Sequence, residues 1–423
     1  MLRPVHPSRE VIERVFKEER GRILATLIRI LGDIDLGEEA LAAALEAALV
    51  QWPHEGTPAN PRAWLIRAAR NKAVDRVRRR ALFEEKRAEI EAEAAHEREG
   101  AAVDFDDDEV SVPDDQLRLI FTCCHPALAV EAQVALTLRT LCGLETDAIA
   151  HAFLVPPATM AQRLVRAKSK IRQARIPYAV PDAEDLPARV DAVLAVIYLV
   201  FNEGYAASSG ASLIRRELCE EAIRLGRLLV ELLPAESDAR GLLPLMLLTD
   251  ARRDARVDAG GEMVLLEDQD RARWDRDEIR EGLALIDGAL RAGPPGAYAL
   301  QAAIAGVHAR AARADETDWR EIAALYAVLR AVNPSGVVAL NHAAAVAMAE
   351  GPAEGLRLMD ALAGDASLVG YHLLPAARAD LLRRLGRLRE AAAAYREALA
   401  LVGNDTDRRF LERRLAQVAP ARS

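Results

Sequence analysis

The chain has 423 residues, 51% of them hydrophobic and 29% charged, with a formal net charge of −9. That length is a prior for about two to four domains. Aromatics are only 4%, while Ala, Leu, Arg and Glu dominate; these four lose little side-chain freedom in a helix, which points away from a strand-rich protein.

In chain order, residues 8–80 read as a small helical domain. Helical patterning runs from about Glu10 to Leu31 and from Leu36 to Trp52, followed by a loop with Pro53, Gly56 and Pro58. A third helix is expected from Pro61, a residue suited to a first turn. From Arg62 to Arg80 the sequence has eight Arg or Lys against one acid, Asp75. At 100° per residue, Ile66, Ala69, Ala73 and Val77 form one stripe, with Trp64, Arg67, Asn71, Asp75 and Arg78 roughly opposite. A solvated charged face is the plain alternative. So dense an excess of positive charge favours phosphate contacts instead, with Asn71 placed to read a base edge.

Residues 81–112 lose periodicity and gain acid. From Glu84 to Asp115 there are fourteen acids against three bases, the composition of a flexible linker. Residues 113–176 read as a second small helical domain. Cys123 and Cys124 are adjacent and followed by His125, which invites a zinc reading. No second ligand pair lies nearby, so buried thiols are expected for Cys123 and Cys124, and four cysteines in the chain, with Cys142 and Cys219, make no disulfide framework. Thr146–Phe153 patterns as a short helix with Ile149, Ala150 and Phe153 apolar. Val155-Pro156-Pro157 makes the turn. From Ala158 a longer helix carries Met160, Leu164, Ala167 and Ile171 on one stripe, and Thr159, Gln162, Arg163, Arg166 and Lys170 on the other face. From Arg163 to Arg175 there are six basic residues and no acid. A short helix, a brief turn and a basic helix make a helix-turn-helix whose second helix enters a major groove; an ordinary helical hairpin is the alternative.

Pro177 and Pro181 end this domain, and residues 187–418 read as helix after helix. Tyr371–Gly386 and Arg389–Leu401 resemble an antiparallel tetratricopeptide-type pair, with Ala376, Gly386, Ala391, Tyr395 and Ala398 interlocking. Val337–Gly351 and Pro352–Ala363 look like a looser copy. The acids of EDQDRARWDR (267–276) and Glu203 of FNEGY could attract Mg²⁺, but a helix-end network of Asp with Arg271, Arg273 and Arg276 explains the spacing better. His308, His342 and His372 read as single core or surface groups. No nucleophile elbow, phosphate loop or HExxH is present. An enzyme is therefore not expected, nor a metal or cofactor. The start of the chain lacks an apolar signal-peptide core, and no 18-residue apolar run occurs, so a cytoplasmic protein without a membrane span is expected.

Two stretches together resemble the sigma-70 family, extracytoplasmic-function class: NPRAWLIRAARNKAVDRVRRR (60–80), and LRLIFTCCHPAL (117–128) through LCGLETDAIAHAFLVPPATMAQRLVRAKSKIR (141–172). IYLVFNEGYAAS (197–208), EDQDRARWDRDEI (267–279) and TDW (317–319) resemble the group whose sigma module is fused to a tetratricopeptide-like, DUF6596-type tail. The resemblance implies an all-α fold and a transcription-initiation factor acting with core RNA polymerase and promoter DNA. The helix over Leu36–Leu49 would dock on the β′ clamp through Glu38, Glu39, Leu41, Leu45 and Glu46, and the second domain would meet the β flap. Family members often have a Gln and an aromatic in the docking helix, where this chain has Ala42, Ala43 and Leu45. Arg67, Asn71, Asp75 and Arg78 would act at the −10 element, and Thr159, Gln162, Arg163, Arg166 and Lys170 at the −35 element. The tail would take a protein or peptide partner and regulate the module. A DNA-binding regulator that does not engage polymerase is the competing reading.

Overall fold

A computed structural model describes residues 7–74, 112–153, 155–206, 214–258, 260, 262–291 and 294–418. These residues form eighteen α-helices, several short 3₁₀ turns and no strand beyond isolated bridge residues, among them Val257 paired with Met263. The chain divides into two compact units, Met1–Val196 and Ile197–Ser423, the division falling within one helix, Leu186–Tyr205.

The first unit begins with α1 (Pro7–Leu31), α2 (Ile34–Glu55) and α3 (61–74). Asp33 caps α2 by accepting a hydrogen bond from Leu36 N at 3.0 Å, which satisfies an N–H that has no partner inside the helix. Asn60 does the same for α3 through Ala63 N. Leu65, Ala69 and Ala73 are the buried residues of α3, while Ile66 is only half-buried. The core stripe therefore starts at Leu65 rather than Ile66 and keeps Ala69 and Ala73, and Trp64 stands edge-on to buried Trp52 with ring centroids 5.4 Å apart. The expected linker, apart from Val112, lies outside the described residues, as do Asp75, Val77 and Arg78.

The same unit continues with α4 (Val112–Cys123), α5 (Val130–Thr140), α6 (Thr146–Ala152) and α7 (Pro157–Gln173). α4 packs on α1, so residues of both expected small domains share one core. Leu24, Leu27, Leu119, Phe121, Leu136 and Leu138 are almost wholly inaccessible in it. Polar side chains join the two halves. Arg20 donates to Arg139 O at 2.9 Å and Thr140 O at 3.1 Å at the end of α5. Arg29 pairs at 3.1 Å with Asp115, which is fully buried. The Tyr178 hydroxyl donates to Ala25 O at 2.8 Å. Cys123 and Cys124 are buried beside Thr140 and Thr137, and burial pushes the Cys124 thiol up to about 11. Such thiols are inert small core residues.

The second unit holds the end of α8 (Leu186–Tyr205) and then α9 (Arg216–Leu232), α10 (Ser237–Asp250), α11 (Arg276–Arg291), α12 (Ala297–Arg310), α13 (Trp319–Val332), α14 (Gly336–Ala349), α15 (Pro352–Asp360), α16 (Leu373–Arg384), α17 (Leu388–Leu401) and α18 (Asp405–Val418). Each helix from α9 onward packs on its sequence neighbour, as in helical-repeat arrays. α16 and α17 are the tightest late pair. Gly386 turns between them with φ +73°, a left-handed conformation that favours glycine. Ala391, Tyr395 and Ala398 are buried across from Ala379 and Leu382, with Ala376 partly covered. In the looser copy, Gly355 of α15 lies against Ala347 and Ala343 of α14 so closely that any Cβ there would collide.

The acidic stretch between α10 and α11 is a capping network. Asp270 accepts from Ala272 N at 2.9 Å, and Asp275 accepts from Asp277 N and Glu278 N at the start of α11. Arg276 donates to Arg271 O at 3.1 Å. Glu203 pairs with Arg215 at 2.6 Å. Among the described residues, no group of three or more His, Cys, Asp or Glu is arranged to hold a metal ion, and no helix is long and apolar enough to cross a membrane.

Candidate nucleic-acid interface

α6 and α7 are joined by the Val155–Pro156 turn, where Val155 N donates to Ala150 O at 3.0 Å and Pro157 occupies the first turn of α7. A proline there costs nothing, since its missing N–H would have no partner inside the helix. Met160, Leu164, Ala167 and Ile171 are the buried residues of α7, and Ile149 and Ala150 close the core from α6. This packing sets the rotation of α7 and therefore which side chains face out.

Thr159, Gln162, Arg163, Arg166 and Lys170 line one groove of about 430 Å³, bounded across from them by Ala127, Leu128 and Ala129. Gln162, Arg166 and Lys170 are exposed and Arg163 is half-buried. No carboxylate among the described residues pairs with Arg163, Arg166 or Lys170, so the groove carries uncompensated positive charge. Phosphates draw on such charge, and the amide and guanidinium groups suit base edges.

The opposite edge of α7 is neutralised. Lys168 reaches Asp35 at 2.8 Å and Glu38 at 2.6 Å, and Arg172 reaches Asp35 at 2.5 Å and Asp33 at 3.5 Å. Arg139 adds a longer pair to Glu38 at 3.9 Å. Burial pushes the Asp35 carboxyl up, but hydrogen bonds from Lys168 and Arg172 outweigh it and hold the group below its usual range. Burial likewise opposes the Lys168 charge, and Glu38 with Asp35 more than restores it. The five cations of α7 between Arg163 and Arg172 thus split into three facing the groove and two clasping the start of α2. Sequence periodicity did not reveal that division, because the acids lie 130 or more residues upstream.

On α2, Glu39 and Glu46 are exposed and Leu45 is half-buried. Leu41 is a correction: at 2% exposure it belongs to the core and offers no contact surface. The period that brings Ala40, Leu41, Ala44 and Ala48 inward leaves Leu49 and Val50 exposed at 49% and 67% instead. Glu38 is engaged by Lys168. On α3, Arg67 and Asn71 are exposed one turn apart, as their spacing demands.

Three family models match this chain: sigma-70 region 2 over residues 15–83, sigma-70 region 4 over 118–171, and a family of unknown function, DUF6596, over 189–290. An uncharacterized protein of Rhizobium meliloti (strain 1021) is 44% identical over 417 residues, covering 96% of each chain. The groove residues and all but the last two residues of α7 fall inside the region 4 match, and the region 2 match takes in α1 from residue 15 together with α2 and α3. The chain belongs to the sigma-70 family, as a sigma factor of the extracytoplasmic-function type that directs RNA polymerase to promoters and carries a helical C-terminal extension.

Proposed function

We propose that α7 reads the −35 element through Thr159, Gln162, Arg163, Arg166 and Lys170. The observation that carries this reading is their convergence on one uncompensated groove, while the remaining α7 cations are spent on acids of α2. Arg67 and Asn71, with Asp75 and Arg78 further along, act at the −10 element. The polymerase contacts are the β′ clamp for α2 and the β flap for region 4. On α2, Glu39, Leu45 and Glu46 are joined by Leu49 and Val50, which stand out from the helix. Glu38 becomes available to polymerase when Lys168 lets it go.

The test is promoter binding and transcription with purified core polymerase. Gln162→Ala and Arg166→Ala should each cost about 1–3 kcal/mol of discrimination at one −35 position. Lys170→Ala should weaken binding evenly across sequences and reduce the salt slope by about one. Core polymerase binding should be unchanged in all three. Retention of wild-type promoter preference by both Gln162→Ala and Arg166→Ala removes α7 from base reading.

The C-terminal extension assists the sigma module in this reading and takes a protein or peptide partner of its own. Support comes from its array of stacked helices, an architecture that presents extended surfaces. The comparison is transcription by residues 1–196 against the full chain. The cut follows Val196, since Arg189 donates to Phe121 O at 2.5 Å inside the first unit and a shorter piece would lose that tie. Lower activity of the shorter chain fits an assisting role, and higher activity an inhibitory one.

A further inference from the structure

The second unit contains a cavity of about 530 Å³ that the sigma reading does not use. Its walls are largely apolar, formed by Leu265, Leu266, Trp319 and Met348. Three polar side chains also line it, Arg271, His308 and Thr317, each more than nine-tenths buried at 7%, 9% and 8% exposure. Two of the stretches singled out in the sequence, EDQDRARWDR and TDW, therefore meet at one hollow.

The hydrogen bonds there do not close. Arg271 uses Nη1 on His308 O at 2.7 Å and Ala311 O at 2.6 Å, and Nη2 on Thr317 Oγ1 at 3.2 Å. Its Nε–H has no partner, and neither does Nδ1 of His308. Buried polar groups are normally satisfied, so these two exceptions show that the fold's own hydrogen bonding is incomplete at this spot. The charge does not close either. No carboxylate among the described residues pairs with Arg271, whose guanidinium lies over Trp274 at 4.6 Å. Burial, reinforced by Arg252 and Arg271, depresses His308 to about 3, so its ring is neutral there. Two carboxylates, Asp315 and Glu267, also line the cavity; Asp315 is matched by Arg313 at 2.6 Å and Glu267 is exposed. The buried Arg271 guanidinium, without a paired carboxylate, favours an anion over a metal cation beside it.

We propose that this cavity binds a small, mainly apolar carboxylate, its hydrocarbon body against Leu265, Leu266, Trp319 and Met348 and its carboxylate toward Arg271 and His308. The volume lies within the usual range of small-molecule sites, about 300–1,000 Å³. The pairing of an apolar wall with a few convergent polar groups is what fixes the orientation of such ligands. A guanidinium held rigidly by backbone carbonyls is preorganised for an oxyanion. The inference concerns the second unit alone and is independent of how promoters are read.

The test uses the full-length protein, with naphthalene-1-carboxylate and decanoate as probes and naphthalene-1-carboxamide as the uncharged counterpart, by isothermal titration calorimetry. Saturable one-to-one binding of at least one carboxylate is expected, at least tenfold tighter than the carboxamide. Met348→Trp, which fills the cavity, should weaken binding at least tenfold, and His308→Phe, which keeps the ring but removes its nitrogens, should narrow the preference over the carboxamide. Leu266→Trp fills the cavity from a different segment, in case Met348→Trp does not fold; thermal melts identify variants that fold as the wild type. The proposal is overturned if neither carboxylate saturates up to millimolar concentration, if the carboxamide binds as tightly, or if folded filling variants bind unchanged.

Discussion

Two arginines in this molecule solve the same local problem and end in different electrical surroundings. Arg20 in the first unit and Arg271 in the second are each 7% exposed. Each plugs the C-terminal end of a helix, Arg20 donating to Arg139 O and Thr140 O of α5, and Arg271 to His308 O and Ala311 O past α12. Helix ends leave carbonyls without partners and carry partial negative charge, so a cation there is well placed. Around Arg20, burial lowers the affinity for the proton, and the nearby Glu38 carboxylate is the foremost influence restoring it. Around Arg271, burial, Arg252 and Arg276 act against the charge, with Glu316 the one influence in its favour. The first arginine completes an interface between regions 2 and 4. The second leaves an unmet positive charge beside a hollow.

That contrast sets the order of expected effects. Arg20→Met should be the most damaging, by about 2–4 kcal/mol in a denaturant titration, since it orphans two buried carbonyls and severs a tie between the two sigma regions. Next comes pH. The neutral His308 ring is favoured by the fold, so its folded value lies well below the ordinary 6.5. The unfolded chain then binds the proton more readily, and stability present above about 6.5 is lost as pH falls toward about 3. Between about pH 8 and 5 the wild type should lose roughly 2 kcal/mol relative to His308→Phe in urea melts. A flat difference would mean that the imidazole is not shielded as described.

Arg271→Met should cost less than Arg20→Met, about 1 kcal/mol, because losing the carbonyl bonds is offset by removing a buried charge that nothing compensates. Equal losses in the two arginine variants would break the comparison outright. The smallest effect is expected for the clasp between α7 and α2. A double-mutant cycle on Lys168 and Glu38 should give a coupling of roughly 0.5–1 kcal/mol, reduced by salt. Because Asp35 is held below its usual range, the clasp should persist above the ordinary carboxylate range and loosen as pH falls through the depressed value.

Much of this is legible in the chain itself. The stripe Met160, Leu164, Ala167, Ile171 is buried as a period of 3.6 demands, and it sets the α7 cations off the core face. The α16–α17 pair was readable for the same reason, through small residues at interlocking positions and a glycine at the turn. Local periodicity failed where neighbours from elsewhere set the rotation. The core line of α3 begins at Leu65, beside the Trp64–Trp52 contact, and the wide buried face of α2 takes in Leu41 and leaves Leu49 and Val50 outside.

What the sequence determined by itself was therefore the helices, their apolar faces, the two basic segments and the family. Each depends on residues a few positions apart, where helix geometry makes spacing equivalent to direction. Only the tertiary structure decided that Lys168 and Arg172 face acids of α2, that regions 2 and 4 share one core, and that Arg271, His308, Thr317 and Trp319 surround a cavity. Those outcomes pair groups separated by tens to more than a hundred residues. A charge or a ring nitrogen written in sequence carries no mark of its distant partner; packing of the intervening helices chooses it.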